Sequence, residues 1–331
     1  MRLPASIDLP PRLALARMAA ELPGVNALPG GCVYEPKWDG FRVVLAIDDD
    51  VTLWSRRGTD LTTAFPELRD AAVAAVPPGC ILDGEAVVWG NGRLDFDALQ
   101  RRNGVGAKRA AQLARTEPAS FVAFDVLAVV GYDARPHPYA RRRELLEELA
   151  SRWEPPLSVS PTTRSLSEAR EWSESMAAAG IEGIVAKGSA QPYLEDERQW
   201  IKVKRRQTID VIGGAVIGPM QRPEAVVIGL PFDGELHIVG RSAPLRPDAS
   251  RALASQLHPP AGPHPWPEVV SPGAIDRFNA GRDPVQLTLI DPLVVEVSAD
   301  VALSGRAFRH SVRYLRARPE LDIAEVAAPE R

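Results

Sequence analysis

The chain has 331 residues, 45% of them hydrophobic and 25% charged, with a formal net charge of −4 at pH 7. This composition excludes a disordered or fibrous protein and predicts two medium-sized domains; the charge excludes a generally basic nucleic-acid coat, although a local basic surface suffices for binding. No apolar run approaches the roughly 20 residues that cross a bilayer, and Met1 to Pro11 lack the layout of a signal peptide, so a cytoplasmic protein without membrane contact is expected.

In chain order, Gly31 to Arg57 reads as strand, turn, strand, with Phe41 to Ile47 and Val51 to Trp54 flanking the acidic turn at Asp48. A helix is predicted over Phe65 to Val76 and a strand over Cys80 to Trp89, running into an Asn91-Gly92 hairpin signal. A strand over Phe121 to Val130 leads to an amphipathic helix over Tyr139 to Ala150. A strand at Leu157 to Pro161 precedes a helix near Ser167 to Ala179, closed by Gly180. Cys32 and Cys80 have no CxxC partner or nearby histidine, and are expected as core or strand residues. After Lys204 strands dominate: Val211 to Ile217, Ala225 to Leu230, Leu236 to Val239, Gln286 to Ile290 and Leu293 to Val297. With one helix over Asp248 to Leu257, these suit a small β-barrel near the length of an OB-fold.

Only five of the 39 basic residues are lysine: Lys37, Lys108, Lys187, Lys202 and Lys204. In so arginine-rich a chain a retained lysine marks a place where a compact, deprotonatable amine is required, because guanidinium stays charged and is a poor nucleophile. Four of the five lie in short strings that carry chemistry. In order these strings are Glu35-Pro36-Lys37-Trp38-Asp39-Gly40 with Arg42, Ser55-Arg56-Arg57-Gly58, Leu82-Asp83-Gly84-Glu85, Phe121 to Leu127, Glu182-Gly183-Ile184-Val185, and Lys202-Val203-Lys204. Lys108 reads as a solvated surface residue. Two basic clusters, Lys202 to Arg206 and Arg306 to Arg318 with Arg309 and His310, suit phosphates or simply solvated faces.

The ordered series closely resembles the collinear motifs of the covalent nucleotidyltransferases, which comprise DNA ligases, RNA ligases and mRNA-capping enzymes. Leu99 to Arg102, Pro138-Tyr139 leading into Arg141-Arg142, Asp210 to Gly214 and Val294 to Val297 favour the ATP-dependent DNA ligases of bacteria. In its short layout the chain looks like the actinobacterial C-type ligases. The resemblance implies an α+β fold: an ATP-grasp-like adenylation domain of antiparallel sheets with helices over 1–204, a hinge at 205–210, an OB-fold over 211–322 and a tail over 323–331.

The resemblance further implies that Lys37 attacks the α-phosphate of ATP and holds AMP, with Asp39 orienting Lys37 or the ribose. Phe124 would stack on adenine while the main chain near Glu35 and Trp38 reads the base edge. Glu85 would hold the ribose hydroxyls or a metal-bound water, and Glu182 a divalent ion, Mg²⁺ or alternatively Mn²⁺. Arg42 and Arg56, with Arg57 as the neighbouring alternative, would grip phosphate, and Arg198, Lys202 and Lys204 would close on the triphosphate. The cations around Lys37 are expected to depress its pKa. Lys187 is open between a supporting contact and a DNA phosphate contact. Arg205, Arg206, Arg316 and Arg318 are candidate DNA or pyrophosphate contacts. The family's terminal Arg-x-Asp-Lys string is altered here to Arg318-Pro319-Glu320-Leu321, with Arg313 or Arg316 as possible substitutes. Expected partners are nicked duplex DNA and a primase-polymerase or Ku-type repair protein, the ligase itself acting as a monomer. Competing readings are an RNA ligase, a capping-type enzyme, or a nick-binding protein that adenylylates itself weakly.

Overall fold

The computed structural model describes residues 2–204, 207–276, 283–299, 303–304, 306–308 and 310–327, with backbone only at 207, 303 and 304. Arg205, Arg206 and Arg309 lie outside the described residues. The chain is of mixed α+β class and divides into two compact units, Met1–Arg205 and Arg206–Arg331.

The first unit is built on two sheets. One has four strands in the order Ala16–Met18, Trp200–Lys204, Gly183–Gly188, Cys32–Pro36. The other runs Val51–Ser55, Phe41–Ile47, Cys80–Gly90, Ala119–Val129, Tyr132–Asp133, with Arg93–Leu94 and Leu157–Val159 attached at its margins. Alternation assigns each strand residue a face. On the four-stranded sheet Tyr34, Ile184, Ala186 and Ile201 pack against the helix Leu166–Ser175. On the larger sheet Val43, Leu45, Leu82, Ala86, Val88, Phe121 and Ala123 pack against the helices Pro66–Ala75 and Tyr139–Ala150. The remaining faces carry Val44, Ala46, Ile81, Leu127 and Trp200, which with Tyr193 from the loop before the strand Trp200–Lys204 form a third cluster.

That third cluster also encloses ion pairs. Arg142 donates to Asp125 through Nε at 2.7 Å and Nη2 at 3.0 Å, and both side chains are wholly buried. Arg42 holds Asp83 in the same two-pronged way, at 3.0 and 2.7 Å, and Tyr193 donates to Asp83 at 2.7 Å. Lys187, 1% exposed, reaches Glu35 at 2.8 Å. Its ammonium lies 4.5 to 4.8 Å from the ring centres of Trp200, Phe124 and Tyr139.

The second unit centres on a five-stranded antiparallel sheet in the order Glu235–Arg241, Ala225–Phe232, Gln207–Ile217, Thr288–Ala299, Arg313–Ala317, with the helix Pro247–Ala254 packed on its core through Leu253.

Several expectations are corrected. The helix near Ser167 stops at Ser175, where the Met176 amide bonds back to the Trp172 carbonyl; Gly180, at φ +88°, closes the following turn rather than the helix. The two strands predicted around Asp291-Pro292 are one strand, because the pairing slips between Gly213 and Ala215 and so accommodates a proline that cannot donate to a ladder. Residues 207–210, within the stretch expected as hinge, are strand residues opposite 296–299, which leaves that expectation as it stands. The helices Phe96–Gln100 and Ala107–Thr116 are additional: the first is one short turn capped by Asp95, and the second buries only Ala110 and Leu113. Cys32 and Cys80 are buried strand residues with free thiols, as expected.

Breaking one partner of a sealed ion pair leaves an uncompensated charge, at a cost of about 3–5 kcal/mol. Arg142→Met and Asp125→Leu should each lower the unfolding free energy of the first unit by about that much in urea titrations. The double variant should lose much less than the sum, whereas additive losses would show that the two groups act independently.

Candidate active site

Lys37 lies where the chain leaves one sheet and enters the other. Its amide donates to the Gly183 carbonyl at 2.8 Å and its carbonyl accepts from the Glu182 amide at 3.0 Å, so the Lys37 and Glu182 strings are stitched together by backbone. Two motif glycines are needed for close approach. A Cβ at Gly40 would fall 2.2 Å from the Ala86 carbonyl oxygen and 2.9 Å from Glu85 Cγ; at Gly183, whose φ is +152°, it would fall 2.0 Å from the Val203 oxygen. Larger residues there would push Glu85 and the Lys202–Lys204 strand away from the amine.

The Lys37 ammonium is ion-paired with Glu182 Oε2, and Lys204 reaches Glu182 at 3.4 Å. Burial is the largest influence on Lys37 and favours the neutral amine, but Glu182, Glu85 and Asp39 together outweigh it and hold the pKa above its ordinary value. This reverses the expected depression: in the free protein the carboxylates dominate, and Lys37 is charged. The depressed amine is Lys202, lowered by burial and then by Lys37, Lys204 and Arg56. Glu85, Cα partner of Arg42 across the sheet, is pushed up to about 8 by burial, against the opposing pull of Lys37 and Arg42.

Phe124 owes its aim to a bulge. The register passes from Asp83 opposite Asp125 to Gly84 opposite Ala123, leaving Phe124 as the extra residue, and its ring joins the inter-sheet cluster beside Trp200 instead of the helical core. Glu35, 2% exposed, accepts from Tyr139 and Lys187. Trp38 donates to Ser160 Oγ at 3.0 Å and meets Trp89 edge-on at 6.4 Å.

The structure thus gathers Lys37, Asp39, Glu85, Glu182, Lys202 and Lys204 into one electrostatic group, with Arg56 near enough to act on Lys202. Arg42 is engaged by Asp83 and by the Ala14 carbonyl at 2.8 Å, and its guanidinium lies 5.5 Å from the Phe124 ring centre. Arg57 and Arg198 are exposed, without an ion pair among the described residues, and Lys108 is exposed as expected. Burial of Lys187 rules out its use as a DNA phosphate contact in this conformation and leaves the supporting role. In the second unit Arg316 is held by Glu296 at 2.7 Å and Arg318 by Asp210 at 3.3 Å and by Glu320, whereas Arg313 is exposed with no ion pair among the described residues. Asp83, Tyr139 and Tyr193 had no assigned role in the sequence, although Asp83 and Tyr139 stood inside quoted strings. The signal for Asp83 was a charged residue embedded in the apolar run from Cys80 to Val88; Tyr139 and Tyr193 stand in polar stretches and carried no such signal.

Residues 14–204 match the family described as ATP dependent DNA ligase domain. The chain belongs to the ATP-dependent DNA ligase family. It is similar to DNA ligase C2 of Mycolicibacterium smegmatis, 36% identical over 334 residues that span 96% of this chain and 94% of that relative. DNA ligase C of Mycobacterium tuberculosis is 33% identical over 342 residues, 97% and 93% of the two chains. Among solved structures, a Lig E DNA ligase superposes with a TM-score of 0.54 over 92% of this chain and 99% of that one; at 15% identity this speaks for the fold alone. The protein is therefore an enzyme, a DNA ligase. No helix among its described residues is long and apolar enough to cross a membrane.

The raised Glu85 makes a pH prediction. Between its ordinary value of 4.5 and about 8 the folded ligase keeps a proton that the unfolded chain releases, so this contribution to stability is complete below 4.5 and lost as pH rises through about 8. Glu85→Gln should flatten the fall in thermal stability between about pH 5 and about pH 9, by on the order of 1–3 kcal/mol at the upper end. An unaltered fall would mean that Glu85 is ionised throughout.

Proposed function

We propose that this ligase seals nicks bearing a 5′-phosphate and a 3′-hydroxyl in duplex DNA through an AMP carried on Lys37, in the service of DNA repair. The observation that carries the reading is the single lysine placed between Glu85, Asp39 and Glu182, with Lys202 and Lys204 on the adjoining strand.

In the first step Lys37, an ammonium at rest, releases one proton to solvent as ATP binds, and the neutral Nζ then attacks the α-phosphorus of ATP. The N–P bond forms, the bond to the pyrophosphate oxygen breaks, and the amine proton leaves toward Glu182, its hydrogen-bond partner at rest. Lys202, Lys204, Arg56 and Arg198 offset the charge moving onto pyrophosphate. Phe124 stacks on the adenine, the chain from Glu35 to Trp38 reads its edge, and Arg42, fixed by Asp83, supports the Phe124 ring from beside it. A 5′-phosphate oxygen of the nick then attacks the AMP phosphorus and frees Lys37. Finally the 3′-hydroxyl attacks the activated phosphate and releases AMP.

Glu85 and Glu182 fit a divalent cation. They are hard oxygen donors converging on one amine, and Mg²⁺ characteristically takes one or two carboxylates together with substrate phosphates. When bound there, Mg²⁺ or Mn²⁺ would supply positive charge against the phosphates.

We further infer that the second unit is an OB-type barrel over 211–322 that follows the adenylation domain, and that the barrel and the basic stretch before it contribute phosphate contacts, with Arg205, Arg206 and Arg313 as candidates. Nicked DNA is the proposed partner, with a primase-polymerase or Ku-type protein recruiting the monomeric ligase.

Incubation with α-labelled ATP or GTP and Mg²⁺, followed by a chase with nicked duplex, tests the reading. ATP should label the wild type, Lys37→Ala should lose roughly a thousandfold or more of that label, and the chase should transfer it and seal the nick. Labelling by GTP instead would indicate a capping-type enzyme, and a protein that shifts nicked DNA without labelling would be a binding module. Because Arg316 and Arg318 are held by carboxylates of their own unit, Arg313→Ala should slow self-adenylylation more than Arg316→Ala does; equal rates would rule out Arg313 as the substitute.

A further inference from the structure

The helix Tyr139–Ala150 presents its first turn to both walls of the base-binding half of the site. Tyr139 is 1% exposed and its hydroxyl donates to Glu35 Oε1. The same oxygen takes Lys187 Nζ at 2.8 Å, and Lys187 also donates to the Phe124 main-chain oxygen at 2.7 Å. Three residues along the helix, Arg142 grips Asp125, the immediate neighbour of Phe124. One helical turn therefore fixes the Glu35 strand through Tyr139 and the Phe124 strand through Arg142, with Lys187 tying the two together.

We propose that Tyr139 is a positioning residue for base selection: its hydroxyl immobilises Glu35, and so sets the chain from Glu35 to Trp38 at the distance from Phe124 that accepts adenine and discriminates against guanine. The inference rests on the reading of Phe124 and Glu35 to Trp38 as the base contacts. A carboxylate oxygen with two buried donors has little freedom, and a tyrosine ring packed beneath a sheet has fewer rotamers to lose than a longer polar chain. Burial first, then Glu35 and Asp125, keep the phenol well above its ordinary pKa, so the hydroxyl remains a donor throughout the working pH range. Lys187 and Arg142 are poor places to probe the idea, since removing either leaves a buried carboxylate uncompensated. Tyr139 can lose its oxygen alone.

The test compares full-length wild type with Tyr139→Phe in the initial rate of Lys37 labelling by ATP, by GTP and by purine riboside triphosphate, which lacks the 6-amino group. KM for ATP should rise about tenfold with the rate at saturating ATP nearly unchanged, and the preference for ATP over both other nucleotides should fall by a similar factor. Each preference is a ratio taken on the same folded molecules, so partial loss of folded protein cancels from it. Preferences in Tyr139→Phe equal to those of wild type would overturn the inference, whereas a wild type that ATP fails to label would overturn the functional reading on which it rests.

Discussion

The first unit depends on a set of charges that two sheets seal away from water. Arg42 with Asp83, Arg142 with Asp125 and Lys187 with Glu35 put three cations and three carboxylates into the same interior, most of them without appreciable exposure. Each ion is costly to desolvate, and the arrangement is sustained by short two-pronged geometry and by tyrosine hydroxyls that occupy remaining acceptor positions. Each pair lies within one sheet or between helix and sheet, and Lys187 joins the two sheets: from the four-stranded one it donates to the Phe124 main-chain oxygen at 2.7 Å and approaches Asp125 at 3.8 Å on the other. Stability and site geometry are thus set by common contacts.

Against that rigid floor the reactive amine stands in a different balance. Lys37 is partly buried, which by itself would favour a neutral nucleophile, yet three carboxylates keep it protonated in the free protein. Glu85 takes the opposite course and retains its proton near neutrality. With Glu85 protonated, the ammonium of Lys37 keeps its ion pair to Glu182, and the attacking state has to be created by the arrival of substrate. Such a resting state also protects the amine from unproductive acylation.

Much of the first unit was readable in advance. The strands Phe41–Ile47 and Cys80–Gly90 and the helix Tyr139–Ala150 follow from strong local periodicity, and Lys37 from a lysine retained in an arginine-rich chain. The helix Ala107–Thr116 was not, because only two of its side chains are buried and its composition is dominated by polar contacts with solvent. The single strand Thr288–Ala299 was missed for the converse reason: Asp291-Pro292 is a strong turn signal, and only a bulge that takes residues 290–292 out of the pairing with Gln207–Ile217 overrides it. Local preference decides an element where neighbours agree with it and yields where a long-range pairing is available.

By itself the sequence determined which groups were present: the order of the motifs, the lysine proposed as nucleophile and the carboxylates, together with the class of fold that carries them. The tertiary structure alone decided their states. Whether Lys37 is raised or lowered depends on the distances to Glu182, Glu85 and Asp39, and those groups lie from two to 145 positions away along the chain. It likewise decided that Lys187 faces the interior and that Arg42 answers to Asp83. Electrostatic interaction depends on separation in space and on access of water, and neither quantity is written in residue order.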